Sequence, residues 1–194
     1  SIPASVALVI GSEQIISALF GYGSFTENSV LNSSNALYFF GLGLPAFAFI
    51  KVFSTFFFAN HDTKTPFYIS LVSVLLNILI SVYFFKDIGF IIIPIATTIS
   101  SWFNSLLLFI YLKNSNLFEF NKTFFRQCVK IIFTSIMTGF FFKYLILFFQ
   151  NELSYDYFLK SVYLLLCVLL TIIFYFALSY FIKAFNYQDI KLKY

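Results

Sequence analysis

Three polar side chains within apolar stretches have residue types and a spacing that could form a small cation site. Asn77 and Ser81 are four residues apart, so in a helix they share one face. On neighbouring antiparallel helices, Asn77 and Thr97 would lie roughly 12 and 13 Å below one membrane surface, at about 1.5 Å per residue. Such oxygens could bind a cation with backbone carbonyls, or join the two helices by hydrogen bonds. Because the set lacks a carboxylate, the sequence favours the helix contact and leaves the cation site as the alternative.

Ionisable side chains inside an apolar helix are costly, and they normally face the protein interior or a water-filled cavity. Glu13, Lys51 and Lys143 are the candidates. The two lysines could instead extend to the membrane surface, because each lies within about two turns of a predicted helix end. Glu13 has a shorter side chain, so a cavity and the surface are equally open predictions for it.

Small polar residues form a stripe on one face of the predicted fourth helix: Thr97, Ser101, Asn104 and Ser105. Small side chains let helix backbones approach closely, so the stripe predicts a helix contact or a cavity wall rather than a site of chemistry.

Two predicted helices contain residues that weaken helical structure. Pro94 lacks a backbone donor, which predicts a bend in the fourth helix. Gly41, Gly43 and Pro45 predict a kink in the second. Interrupted helices often line the substrate path of transporters.

The sequence lacks the patterns of common catalytic sites. Its single histidine is His61, and it contains no GxSxG, Walker or HExxH motif and no carboxylate pair at helical spacing. We therefore predict a protein that is not an enzyme and needs no cofactor.

The elements that position these residues must be membrane helices. Of 194 residues, 60% are apolar and only 10% are charged, whereas roughly 25% are charged in a soluble domain. The apolar residues form long blocks, which predicts an all-α integral membrane protein with six transmembrane helices. The predicted spans are residues 2–20, 35–58, 66–85, 88–111, 128–149 and 159–183.

Basic residues cluster at alternate ends of these spans, and cytoplasmic ends are the ones that carry such an excess. The basic ends hold Lys51, Lys64, Lys113, Lys122, Arg126, Lys130, Lys183, Lys191 and Lys193. This placement predicts a first span that runs outward and a cytoplasmic C-terminus. Anionic membrane lipids explain the net charge of +4, so no nucleic acid partner is expected.

Residues 36–53 read ALYFFGLGLPAFAFIKVF, and residues 57–66 read FFANHDTKTP. Together they closely resemble the signature of the MurJ/MviN lipid II flippases. The opening Ile2-Pro3-Ala4 is similar to the segment just upstream in that family. After about residue 112 the resemblance is one of hydrophobic pattern alone.

The resemblance implies helices nine to fourteen of a fourteen-helix exporter fold in the bacterial inner membrane. It implies export of lipid II, the undecaprenyl-linked peptidoglycan precursor, by alternating access during cell wall biosynthesis. Spans five and six would correspond to a groove for the lipid tail. The candidate cavity or gating residues are then Glu13, Lys51, Asp62, Lys64, Ser101 and Asn104.

The family resemblance also bears on energy coupling and on completeness. It implies a monovalent cation site that includes Asn77 and Thr97, although Ser81 stands where a carboxylate or Asn is expected. A monovalent cation or the membrane potential would be the coupling source. The chain begins Ser1-Ile2-Pro3 without Met, so we expect a fragment of a longer protein. The resemblance implies that the missing N-terminal half carries the cationic headgroup cavity. A polysaccharide or drug exporter of the same superfamily, and a six-span membrane enzyme or scaffold, are the alternatives.

Overall fold

A computed structural model describes residues 1–115 and 122–182. Helices occupy most of these residues, and no strand occurs among them. A short 3-10 turn, Gly89–Ile91, separates the fourth helix from the fifth. The helices are α1 (Ile2–Ile10), α2 (Ser12–Phe20), α3 (Glu27–Ala59), α4 (Lys64–Ile88), α5 (Ile92–Asn114), α6 (Lys122–Phe148) and α7 (Lys160–Phe181).

The helices form two compact units. In the described ranges, the first unit comprises residues 32–115, which hold most of α3 together with α4 and α5. The second comprises residues 2–31 and 122–182, which hold α1, α2, the start of α3, α6 and α7. The last residue of the predicted sixth span and the basic tail residues lie outside the described ranges.

The predicted all-helical membrane class is confirmed. Within the described ranges, four helical stretches are long and apolar enough to cross a membrane, and α1 with α2 would make a fifth, bent one. The four are Glu27–Ala59, Lys64–Asn114, Phe125–Phe148 and Lys160–Phe181. The number six and the correspondence to helices nine to fourteen stay predictions.

The segment predicted as one span over residues 2–20 is not one straight helix. α1 and α2 meet at Gly11 with a bend of 75°. α1 packs along α6 at Gly139, where an added Cβ would lie only 2.4 Å from the Val6 side chain. α2 packs against α7 instead. Each half thus has its own partner, and the break lies where Gly11, Ser12, Glu13 and Gln14 interrupt the apolar run.

α3 begins earlier than the predicted second span, at Glu27 rather than at residue 35. The Oγ1 of Thr26 accepts a 3.3 Å hydrogen bond from the backbone N–H of Ser29. This contact satisfies a donor of the first turn, as an N-cap residue does. The first turn of α3 is polar, so a prediction based on runs of apolar residues places the start of the helix too late.

The two predicted helix interruptions have different outcomes. α3 continues as one helix through Pro45 to Ala59, and the predicted kink within it stays a prediction. Pro94 lies in the first turn of α5, where backbone N–H groups have no partner within the helix. Pro94 therefore removes no helical hydrogen bond, and the predicted reason for a bend in that helix is wrong.

α4 and α5 pack against each other along their lengths. The chain reverses direction after α4 at Gly89, whose φ of +74° favours glycine because it lacks a Cβ. The apolar contacts at one end of this hairpin bury Phe57, Ile69, Leu108 and Leu112.

Large apolar side chains cover the outer faces of the second unit. Phe140 of α6 and Leu165, Ile173 and Phe176 of α7 are each more than 60% exposed. Soluble monomers rarely expose contiguous apolar surface of this kind, whereas hydrocarbon solvates it without cost. The small core of the unit lies inside, around Phe142 and Cys167.

Candidate functional site

Asn77 joins α4 to α5 through its side-chain amide. Its Nδ2 donates to Thr97 Oγ1 at 3.1 Å and to Ser100 Oγ at 3.2 Å. Its Oδ1 accepts a 3.4 Å hydrogen bond from Ser81 Oγ. The structure thus brings together the three residues that the sequence predicted as one cluster, and it adds Ser100.

Sequence reasoning missed Ser100 because the polar stripe was traced from Thr97 to Ser101, four residues on, and Ser100 was passed over. Ser100 lies three residues after Thr97, and this spacing also places a side chain on the same helix face. The Thr97 hydroxyl also forms a hydrogen bond within α5, since it donates to Ile93 O at 2.8 Å.

A cavity of about 390 Å3 lies in the first unit, between α3, α4 and α5. Its polar lining includes the candidate residues Asn77, Thr97, Ser101 and Asn104. Ser101 donates to the Thr97 carbonyl at 2.6 Å. Three residues of the predicted polar stripe, Thr97, Ser101 and Asn104, therefore form one wall of this cavity, whereas Ser105 is buried and does not line it.

Asn104 is the most unusual residue of this wall. It is 8% exposed, and its Nδ2 donates weakly to Ser70 Oγ at 3.4 Å. Its buried Oδ1 has no hydrogen-bond partner in the described part of the chain. A buried carbonyl in this state costs free energy unless water or a ligand donates to it.

Asp62 organises the connection between α3 and α4. Its Oδ1 accepts hydrogen bonds at 3.0 Å from the backbone N–H groups of Lys64 and Thr65, the first two residues of α4. Asp62 N–H also donates to Phe57 O, and His61 N–H donates to Phe58 O, both at 3.0 Å. This pair of bonds is the Schellman termination of α3, with His61 at a φ of +58°.

The same contacts lower the pKa of the Asp62 carboxyl below its ordinary value of 3.8. The hydrogen bond from the Thr65 side chain is the largest cause, followed by that from the Thr65 backbone N–H. Both stabilise the ionised form. The family-like DTKTP segment thus first of all ends one helix and begins the next.

The remaining candidates are not part of the Asn77 cluster or of the lining of its cavity. Lys64 is the first residue of α4 and is exposed. Lys51 is exposed on α3, one residue after Ile50 of the cavity lining. Glu13 lies in the first turn of α2, in the second unit, and lines a different cavity there.

Lys160 is an important residue that the sequence did not single out. It is 1% exposed. Its Nζ donates to Gly21 O at 2.7 Å and to Tyr155 O at 2.6 Å. The Nζ also lies 4.4 Å from the ring centre of Tyr22 and 4.6 Å from that of Tyr155.

The position of Lys160 at the start of a predicted helix could have indicated that this lysine has a special role. A cation at the first residue of a helix opposes the positive end of that helix dipole, and Lys160 is the first residue of α7. The C-terminal end of α2 offsets this unfavourable interaction, because the negative end of its dipole lies at Gly21 and the Gly21 carbonyl accepts from Lys160 Nζ. Ser161 adds a 2.6 Å hydrogen bond to Ala18 O.

No group of three or more His, Cys, Asp or Glu side chains that could hold a metal ion occurs within residues 1–115 and 122–182. A cation at the Asn77 cluster would therefore depend on amide, hydroxyl and carbonyl oxygens.

Comparison with known proteins gives a consistent result. Residues 1–164 match the family model described as "Lipid II flippase MurJ". A solved structure named "Lipid II flippase MurJ, inward closed conformation" superposes with a TM-score of 0.70 at 27% identity. That match covers 97% of this chain and 36% of the other.

Curated relatives agree with the family model. A protein of Rickettsia prowazekii (strain Madrid E), named "Probable lipid II flippase MurJ", is 28% identical over 190 residues, which are 97% of this chain and 38% of that protein. A protein of the same name from Rhizobium meliloti (strain 1021) is 38% identical over 109 residues, covering 56% of this chain and 20% of the relative. The chain thus spans well under half of the relatives that it matches, and it belongs to the lipid II flippase MurJ family.

Proposed function

We propose that this chain is part of a flippase that moves lipid II across the bacterial inner membrane. The match of residues 1–164 to the family model carries the proposal. The similarity in fold to a solved flippase over 97% of the chain supports it. Its partners would be lipid II as substrate, the membrane lipids and the remaining part of the transporter.

The exposed apolar faces of α6 and α7 suit the lipid part of such a substrate. Phe140 and Leu147 on α6, with Leu165 and Ile173 on α7, present aliphatic and aromatic groups outward. An undecaprenyl chain is a long hydrocarbon, and it would exchange for membrane lipid on this surface without loss of hydrogen bonds. We propose this surface as the tail-binding groove.

We also propose six spans, with α4 and α5 as separate crossings. The stretch Lys64–Asn114 has 51 residues, far more than the roughly 20 that one crossing needs. The packing of α4 against α5 supports a reversal at Gly89. Together with α1–α2, α3, α6 and α7, this gives six.

Cysteine labelling tests the count and the orientation. Single cysteines would replace Lys64, Lys113, Asp87 or Glu152 after Cys128 and Cys167 are changed to alanine. We expect Lys64→Cys and Lys113→Cys to react only from the cytoplasm, and Asp87→Cys and Glu152→Cys only from outside. Labelling of Lys64 and Asp87 positions from the same side would contradict six spans.

For the Asn77 cluster, we propose a helix joint that holds α4 and α5 in register. The hydrogen bonds from Asn77 to Thr97 and Ser100 support this role. A monovalent cation is the second candidate, because Asn77 contacts both Ser81 and Thr97 and each of the three side chains has an oxygen. Transport would then be coupled to that cation or to the membrane potential.

Transport itself can be measured with a chimera. These 194 residues would replace the matching segment of the Rickettsia prowazekii relative, and the product would be placed in vesicles with fluorescent lipid II. We expect the fraction of lipid II that an external quencher reaches to equilibrate faster than in empty vesicles. A folded chimera that leaves this rate unchanged would contradict the proposal.

A further inference from the structure

A second cavity, of about 350 Å3, lies in the second unit beside the loop between α6 and α7. Two carboxylates line it, Glu13 in the first turn of α2 and Glu27 in the first turn of α3. No Lys, Arg or His is among the described residues that line it. Both side chains are exposed, so the two carboxylates give the mouth of the cavity a negative charge, which attracts cations.

The neutral lining supplies further hydrogen-bond acceptors, and one of them is unsatisfied. Ser17 is 6% exposed, lines the cavity, and its buried Oγ has no hydrogen-bond partner in the described part of the chain. Gln14, Gln150 and Ser154 add amide and hydroxyl groups to the same wall. A buried hydroxyl without a partner indicates that a ligand or water normally bonds to it.

The position of the cavity indicates where its ligand comes from. α6 and α7 each hold a stretch that can cross the membrane, so the loop that joins them lies at a membrane surface whichever way the helices run. Tyr155 lines the cavity, and Phe158 of the same loop is 85% exposed. Aromatic residues are typical of the headgroup level. The cavity therefore opens where lipid headgroups are concentrated.

We propose that this cavity binds a primary ammonium group on an organic stem, supplied by the headgroup of an aminolipid. A cavity of about 350 Å3 is far larger than a bare metal ion requires. Val30 and Leu153 give part of its wall an apolar character that suits an organic stem. An ammonium group has three donors and no acceptor, which matches two carboxylates and nearby oxygens.

Native mass spectrometry of the purified chain in mixed lipid tests this proposal independently of transport. The chain would be released from bilayers with equal amounts of phosphatidylethanolamine and phosphatidylcholine, and the retained lipids counted. We expect phosphatidylethanolamine to be retained about tenfold over phosphatidylcholine, which corresponds to about 1.4 kcal/mol. The quaternary choline group cannot donate the hydrogen bonds.

Three variants separate binding from folding. Glu13→Gln with Glu27→Gln should abolish the preference, and Ser17→Ala should reduce it without loss of stability. Glu152→Gln is the matched control, since Glu152 belongs to the same loop and does not line the cavity. A purely helix-stabilising role of Glu13 and Glu27 would lower the melting temperature and leave the lipid preference unchanged, which would overturn the proposal.

Competition distinguishes the sources of the ammonium group. Displacement of phosphatidylethanolamine by a lysine-containing peptide, with no effect of its acetylated form, would assign the site to amines in general. Resistance to that peptide would assign it to the lipid headgroup. Equal retention of the two lipids, or displacement by Mg2+ alone, would overturn the proposal.

Discussion

Lys160 Nζ donates a 2.7 Å hydrogen bond to the carbonyl oxygen of Gly21, so the first residue of α7 caps the last turn of α2. This contact connects the second half of the bent α1–α2 segment to a membrane-spanning helix. The cation is buried without a carboxylate partner among the contacts that the structure gives it. Two carbonyl groups, which accept hydrogen bonds from Nζ, and two tyrosine rings close to it stabilise the positive charge.

Replacement of Lys160 by methionine should destabilise the second unit. Methionine keeps much of the aliphatic stem and leaves the carbonyls of Gly21 and Tyr155 without this donor, at about 1–3 kcal/mol for each buried acceptor. The melting temperature in detergent measures the effect. Lys143→Met is the matched control, since Lys143 is exposed on α6. Equal melting temperatures for the two variants would contradict the capping role.

Asp62 should make the α3–α4 connection sensitive to acid. Its pKa is lowered in the folded state, so its contribution to stability is complete above the ordinary value of 3.8 and is lost as the pH falls through the lower folded-state pKa. Asp62→Asn keeps an acceptor for the cap but does not titrate.

The melting temperature of the wild type, measured relative to Asp62→Asn, isolates this effect from other carboxylates. We expect the difference to be constant near neutral pH and to decline below about pH 4. A difference that does not change between neutral pH and strongly acidic pH would show that the Asp62 contacts do not favour the ionised form.

Glycine in place of His61 should stabilise the protein. His61 has a φ of +58° at the end of α3, a conformation that costs a residue with a Cβ about 1 kcal/mol or more. Glycine adopts it freely and is the common choice at this position of a Schellman termination. His61→Ala should not give the gain, because alanine keeps the Cβ. A lower melting temperature for His61→Gly than for wild type would indicate that the imidazole has a role of its own.

The Asn77 cluster can be tested for both of its proposed roles. Asn77→Ala removes two interhelical hydrogen bonds. It should lower the free energy of unfolding by about 1 kcal/mol, the size typical of such bonds in a membrane protein. Ser81→Ala removes only a 3.4 Å contact within α4 and should cost less. If the cluster only joins the helices, Asn77→Ala should lose the same amount of stability in sodium, lithium, potassium and choline salts. Stabilisation by one cation that disappears in Asn77→Ala would instead favour the cation site.

The membrane helices could be predicted because each leaves a long apolar run in the sequence. α4, α5 and the common depth of Asn77 and Thr97 follow from span length and helical rise alone. The break at Gly11 was not predicted, although it lies where polar residues interrupt the apolar run, because the bend depends on α1 and α2 having different partners. The start of α3 was missed because its first turn is polar and is capped by Thr26.

The most informative side chains were predicted less well than the helices. Lys160 reads as a surface charge in the sequence, and only the packing of α2 against α7 makes it a buried cap. Asp62 was selected from a family-like signature, whereas its observed contacts are those of a helix cap. Asn104 Oδ1 and Ser17 Oγ are buried without a hydrogen-bond partner in the described part of the chain. This property depends on the three-dimensional neighbours of each atom, so the sequence cannot show it.

Lipid II export by living cells tests the central claim most directly. The chimera of this chain with the Rickettsia prowazekii relative would be expressed in cells depleted of their own flippase. An enzyme that cleaves lipid II and acts only from outside would report how much precursor reaches the outer surface. We predict that a membrane-inserted chimera restores this cleavage to the level given by the intact relative. Normal insertion and folding with no cleavage above that of depleted cells would contradict it.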